Sequence, residues 1–183
     1  MQFEFVPQAG IYVGRFEVTE GNYAEVMGIE PRGTNSDLPA ASISYREAGL
    51  FVDALKLKDG GFLKANLTDG DQFEYGIPRI AEWQLYAPPV VIGQDLDAVI
   101  RINVQQGEYI GLMPVHRPRK PTNARLFDLY GNVAEWCEGS NGLPEARGGS
   151  YNTRKSSLTV VPRLPPGEER FATVGLRCVL RRK

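Results

Sequence analysis

Two cysteines, Cys137 and Cys178, and one histidine, His116, are the side chains of this 183-residue chain best suited to metal or nucleophilic chemistry. A pair of cysteines cannot make a disulfide scaffold; they can form one bridge or stay as two reduced, buried thiols, and the second reading is favoured. A Ser-His-Asp hydrolase would have to combine His116 with Ser150 and an acid such as Asp128, and no nucleophile-elbow pattern surrounds the serine. Cations form the other concentration of chemistry. Arg147 to Lys183 holds nine basic residues against Glu168 and Glu169, a net of +7 in a chain whose total is -1, so the rest carries -8. Such a segment can face nucleic acid or an acidic partner, or pair with the acidic remainder of its own chain; the internal pairing is the expected outcome. Arg163, Arg170 and Arg177 are seven apart, but Pro162, Pro165 and Pro166 prevent a helix from aligning them. A second basic loop, VHRPRKP, carries His116, Arg117, Arg119 and Lys120 between stiffening prolines. It reads as a solvated loop, with docking of an anionic partner as the alternative.

The elements that must position these groups are short. Hydrophobic residues make up 42% and charged residues 23%, the balance of an ordinary soluble globular chain, while 20 glycines and 13 prolines predict many loops. The length fits one domain, 1–183. No apolar run reaches the ~20 residues of a membrane span. The opening MQFEFVPQAG lacks a basic region and a long apolar one, which predicts no signal peptide and a cytoplasmic or virion-associated protein.

Phe3 and Phe5 alternate with Gln2 and Glu4 as in a half-buried strand, and Ile11–Val13 between Gly10 and Gly14 reads as another. Thr19 is a helix N-cap with Val18 and Tyr23 in staple positions, and Gly28 closes that helix. Ser44 and Glu47 form a capping box ahead of Ala48, Phe51, Val52 and Leu55, the most strongly patterned helix. Residues 58–74 read as a hairpin or irregular loop. Ile80, Trp83 and Tyr86 predict a short helix ending before Pro88, although Arg79 at its start cannot accept a backbone N–H bond. Val90–Ile92 and Val99–Val104 are candidate strands. The organising stretch is Leu126–Tyr151: Gly131-Asn132 is a tight turn, Val133 and Trp136 belong in a core, and Gly148-Gly149 lets backbones pass closely. Val174, Leu176 and Cys178 alternate toward a core.

Several segments together resemble formylglycine-generating-enzyme-type (sulfatase-modifying-factor) domains, which are elaborated C-type-lectin folds. The matching residues are Glu17, Val18, Thr19 and Tyr23; Pro78, Glu82 and Trp83; Gly131, Asn132 and Trp136; Arg147 to Ser150; and the closing Gly175-Leu176-Arg177-Cys178. The resemblance implies an α+β, C-type-lectin-like fold, loop-rich, with short helices around small antiparallel sheets. It also implies that the N-terminal strand Met1–Val6 lies beside Val174–Leu180 in one sheet. Glu82 is expected as a fold-stabilising carboxylate rather than an acid or base.

The enzymes of that family hold copper through two cysteines just past Gly-Gly-Ser, because soft thiolates suit Cu(I). Aligned on Gly148-Gly149-Ser150, those positions fall near Thr153 and Leu158, neither of which binds Cu(I). Iron-dependent relatives need three histidines, and this chain has one. No copper or iron is therefore expected. The resemblance leaves open a structural calcium at Asn132 and Glu135, which supply hard oxygens; the alternative is that Asn132 caps its turn and Glu135 pairs with Arg147 or Arg177. The expected function is a non-catalytic binding or structural module, such as a virion or receptor-binding component or an accessory subunit. Its binding surface would comprise Asn152, Thr153, Arg154, Lys155, Arg163 and Arg170. A protein partner or homo-oligomer is expected and a glycan remains open; nucleic acid is disfavoured and a membrane is not expected. The competing classes are a diverged metal-dependent oxidoreductase and a basic-face binder of nucleic acid.

Overall fold

The computed structural model describes residues 1–58, 72–87, 111–116, 125–154 and 168–183. Local signals set its helices. Helix α1 (Glu20–Met27) starts where Thr19 accepts the Asn22 N–H at 3.1 Å and ends at left-handed Gly28. Helix α2 (Tyr45–Lys58) starts on the reciprocal Ser44–Glu47 box, with bonds of 2.8 and 3.1 Å. Its Ala48, Phe51, Val52 and Leu55 are all buried, and Phe51 stacks on Tyr23 of α1 with ring centroids 5.3 Å apart. Helix α3 (Ile80–Tyr86) solves the problem that Arg79 poses: Glu82, one turn in, accepts the Arg79 backbone N–H at 2.7 Å. The carboxylate thus does the capping that an arginine side chain cannot.

Two sheets hold the strands. Strands β1 (Phe3–Val6), β2 (Ile11–Gly14), β3 (Phe73–Gly76) and β7 (Val179–Arg182) form an antiparallel sheet in the order β1-β2-β7-β3. Strands β4 (Ala134–Glu138), β5 (Pro144–Arg147) and β6 (Val174–Gly175) form the second, in the order β5-β4-β6. The expectation of small antiparallel sheets holds for every pair except β4 and β6, which run parallel. The terminal segments share a sheet, as expected, but β2 lies between β1 and β7. The run 174–180 is two strands, one in each sheet, with Leu176-Arg177-Cys178 crossing between them. Val174, Leu176 and Cys178 enter one core, as their alternation leads one to expect, and Arg177 between them is buried as well. Strand β3 falls partly in the stretch read as a loop. The candidate strands at 90–92 and 99–104 lie outside the described residues.

The four-stranded sheet is covered on both faces. Val179 and Leu180, neighbours in β7, enter different cores because strand side chains alternate. Leu180 and Tyr75 join Tyr23, Phe51, Leu55, Trp136 and Cys178. Val179, Val6 and Val13 join Trp83, Tyr86, Leu126, Leu129 and Cys137. Trp136 anchors the first core, and its indole N–H donates to the Ile43 carbonyl at 2.9 Å. Phe5 departs from the alternation argument: it is 52% exposed on the edge strand, with its ring 5.1 Å from that of Tyr12.

Candidate functional site

The stretch 126–151 folds around its glycines. Gly148 has φ +89°, and a Cβ there would sit 2.4 Å from the Leu129 carbonyl oxygen. Only glycine allows that passage. Gly131 N–H then donates to Gly148 O at 3.0 Å, and Tyr151 N–H donates to Asn132 O at 2.9 Å. The double glycine thereby lies along the Gly131-Asn132 turn and carries residues 150–154 onto it.

Under this turn lies a bonded polar lattice. Asn132 is fully buried in the left-handed region (φ 56°), a conformation that asparagine tolerates. Its Nδ2 donates to Glu17 Oε2 at 2.6 Å and to Met113 O at 3.2 Å, while its Oδ1 accepts the Met113 N–H at 3.0 Å. Glu17 also accepts the Val133 N–H at 3.1 Å. Beside it, Glu135 accepts Arg177 Nε at 2.7 Å on one oxygen and the Trp83 indole N–H at 3.0 Å on the other. Arg177 completes its contacts on the carbonyls of Gly14 (2.8 Å) and Phe127 (2.6 Å). Both partners of this ion pair are wholly inaccessible. Burial works against charge on Arg177, yet Glu135 and Glu17 outweigh it and hold the guanidinium above its ordinary value. The arginine stays charged, and five chain segments are tied through it and Glu135.

The alternative given for Glu135 is the observed one, with Arg177 rather than Arg147 as its partner; Arg147 donates instead to Glu145 at 2.7 Å. A calcium ion at Asn132 and Glu135 would have to displace the Met113 N–H from one and the Arg177 guanidinium from the other. The residues as arranged do not fit it. Among the described residues, no three or more His, Cys, Asp or Glu side chains form a group able to hold a metal. Cys137 and Cys178 are free thiols in different cores. Burial pushes the Cys137 thiol well above its ordinary value and Cys178 up to about 12, so neither readily gives a thiolate. Copper coordination does not fit these side chains either.

The expected binding surface divides. Residues 150–153 close a tight turn: Ser150 N–H donates to Thr153 Oγ1 at 2.9 Å, and Thr153 N–H donates to Ser150 O at 2.9 Å. Thr153 is half-buried as a result, while Asn152 and Arg154 are exposed on either side of it. Arg170 is tied to α2, donating Nε and Nη2 to the two oxygens of Glu47 at 2.8 and 2.5 Å. Lys155 and Arg163 lie outside the described residues, as do Arg117, Arg119 and Lys120 of the second basic loop. His116 is exposed, but its ring packs edge-on against Phe16 at 4.6 Å. Phe16 in turn stacks on Phe127 at 5.0 Å under the Arg15 guanidinium. Ser150 Oγ contacts Thr153 Oγ1 and accepts the Asn152 N–H, so no triad with His116 is assembled.

Four arginines of the basic C-terminal third pair within the chain: Arg147 with Glu145, Arg170 with Glu47, Arg177 with Glu135 and Arg181 with Glu82. Glu82 is the fold-stabilising carboxylate expected, meeting Arg181 at 2.6 and 2.7 Å. Sequence reasoning assigned no role to Glu17 beyond the family pattern, although an acidic residue among Phe16, Val18 and Thr19 on a core element is a signal for a buried acceptor. The His116, Phe16, Phe127 and Arg15 stack joins distant positions, and no sequence pattern announces it.

No protein-family model and no curated protein sequence matches the chain. Its structure is similar to the crystal structure of CarF, with a TM-score of 0.71 and 19% identity over 94% of this chain and 86% of that one. It is also similar to variable protein 1 of Treponema denticola, with a TM-score of 0.70 and 17% identity over 99% of this chain and 91% of that one. These likenesses establish the fold, an α+β arrangement of short helices beside small sheets in agreement with a formylglycine-generating-enzyme-type, lectin-like scaffold.

Proposed function

We propose that the protein is a non-catalytic binding or structural module that contacts a protein partner through the turn at Tyr151–Arg154. One observation carries the reading. The polar side chains of the family-like motif, Asn132, Glu135 and Arg177, are bonded internally, while Asn152 and Arg154 stand exposed in the turn that Tyr151 ties to the Asn132 carbonyl. A surface turn held by a fixed scaffold can change its exposed residues without changing the fold, which suits recognition. In this reading, the lattice makes calcium unnecessary at Asn132 and Glu135, and no copper or iron chemistry takes place.

The test places a photo-crosslinking amino acid at position 152, at 154, or at Leu57, which is 89% exposed on α2, in the protein expressed in its native cells. Discrete adducts at 152 or 154 that are absent at 57 are the expected result. Equal labelling from all three positions, or none from 152 and 154, would remove the turn as the recognition surface.

A further inference from the structure

We propose that β1 is a self-pairing edge, through which two copies of the chain join their four-stranded sheets. Among the described residues, the sheet order leaves β1 with one neighbour, β2. Its register with β2 decides which backbone groups are open. Arg15 N–H donates to Gln2 O at 2.8 Å, so Gln2 and, two by two, Glu4 and Val6 take the hydrogen-bonded positions toward β2. Gly14, opposite Phe3, turns its N–H the other way, onto Cys178 O at 2.8 Å. The N–H and C=O groups of Phe3 and Phe5 therefore point out of the sheet. The strand is short and carries one charge, Glu4, but Phe3–Val6 contains no lysine, no proline and no bulge to block pairing.

The edge is complementary to itself. An antiparallel pairing that sets Phe3 opposite Phe5 of a second copy brings the open groups together as two doubly bonded pairs. The same register places phenylalanine against phenylalanine on the face where Phe5 already meets Tyr12. Sliding by two residues in one direction puts Pro7, which has no N–H, opposite Phe3; sliding in the other puts Met1 opposite Phe5. One register therefore satisfies the edge best. On the opposite face it sets Glu4 against Glu4 of the second copy, and charge favours the contact. Glu4 lies between Arg15 at 3.9 Å and Arg125 at 3.8 Å, and Arg125 is 67% exposed. Two carboxylates would then share four guanidiniums, with each exposed Arg125 in reach of both.

Sedimentation equilibrium of the full chain, from about 1 to 100 µM, tests this. The native protein is expected to approach twice its 20.3 kDa mass as concentration rises. Phe5→Pro removes one outward N–H and leaves the β2 ladder intact; it should weaken association at least about tenfold with an unchanged circular dichroism spectrum. Phe5→Lys does the same by charge and decides the matter if the proline variant fails to fold. Arg125→Glu should weaken association further as salt is lowered. A native chain that stays monomeric throughout, or folded Phe5 variants that associate as tightly as the native one, would overturn the proposal. No variant here touches Tyr151–Arg154, so this outcome and that of the crosslinking test are independent.

Discussion

Arg170 and Arg177 lie seven residues apart, and each meets a glutamate, yet the two pairs sit at opposite limits of environment. Arg170 reaches Glu47 with its own side chain 63% exposed, while Arg177 and Glu135 have no exposure at all. The first pair is screened by water and can be exchanged for solvent contacts. The second pair is locked: removing either member strands the other charge in the interior. The same contrast separates the two halves of the family-like motif. Asn132 and Glu135 below the turn are buried and hold the chain together, whereas Asn152 and Arg154 in the turn are exposed. A polar residue in a recognisable motif is thus no guide to chemistry until its partners are known.

Arg177→Met puts the contrast under the greatest strain. It leaves Glu135 unpaired, along with the Gly14 and Phe127 carbonyls, and should cost about 3–5 kcal/mol in urea unfolding. Arg170→Ala, by contrast, should cost no more than about 1 kcal/mol, because its exposed pair is screened by water. Equal losses in the two variants would erase the distinction between them. Next in size, Gly148→Ala forces a side chain into φ +89° and against the Leu129 carbonyl. A loss of about 1–3 kcal/mol or more is expected from the conformation and the clash, and a thermal melt would read it.

Glu82 lies between the extremes, with its side chain 12% exposed against Arg181. Burial alone would raise its carboxyl, but the Arg181 bonds and the Arg79 N–H prevail and hold it below the ordinary 4.5. Glu47 is likewise depressed: burial raises it, and the Arg170 and Ser44 bonds outweigh that. The unfolded chain then binds these protons more tightly, so their contribution is whole above pH 4.5 and is lost as pH falls through the depressed folded values. Glu82→Gln should cost about 1 kcal/mol at neutral pH and flatten the fall in stability below pH 4.5, as followed by urea midpoints across pH. The smallest effect belongs to Tyr86→Phe. The Tyr86 hydroxyl is buried without a hydrogen-bond partner among the described residues, so its removal should be neutral or stabilising by up to about 1 kcal/mol. A marked loss would reveal a role for that hydroxyl.

How much of this was legible in the sequence follows from how local each cause is. The caps at Thr19 and Ser44, the stop at Gly28 and the buried stripe of α2 lie within a few residues of one another, and all were readable. The glycine passage at 148–149 was readable because no other residue allows it. Strand β3 was not: its four residues are too few for alternation to speak, and its pairing with β7 spans the chain. The division of 174–180 between two sheets was hidden for the same reason. Alternation there predicts inward Val174, Leu176 and Cys178, and says nothing of an arginine buried where two sheets meet. For the site, the alternatives at Glu135 could be stated, but choosing among them required the distance to Arg177. Phe5 followed the strand pattern and was still exposed, because the pattern does not show which strand lies at an edge.

The claim at the centre of the account is that the motif residues maintain a scaffold and hold no redox centre. Its most direct test is a Cu(I) titration of the purified, reduced protein against a competing chelator, with oxygen uptake followed in the presence of a cysteine-containing peptide. The account predicts that the chelator keeps the copper and that no peptide-dependent uptake occurs. One copper retained per chain, lost in Cys137→Ser and accompanied by oxygen consumption on the peptide, would contradict it.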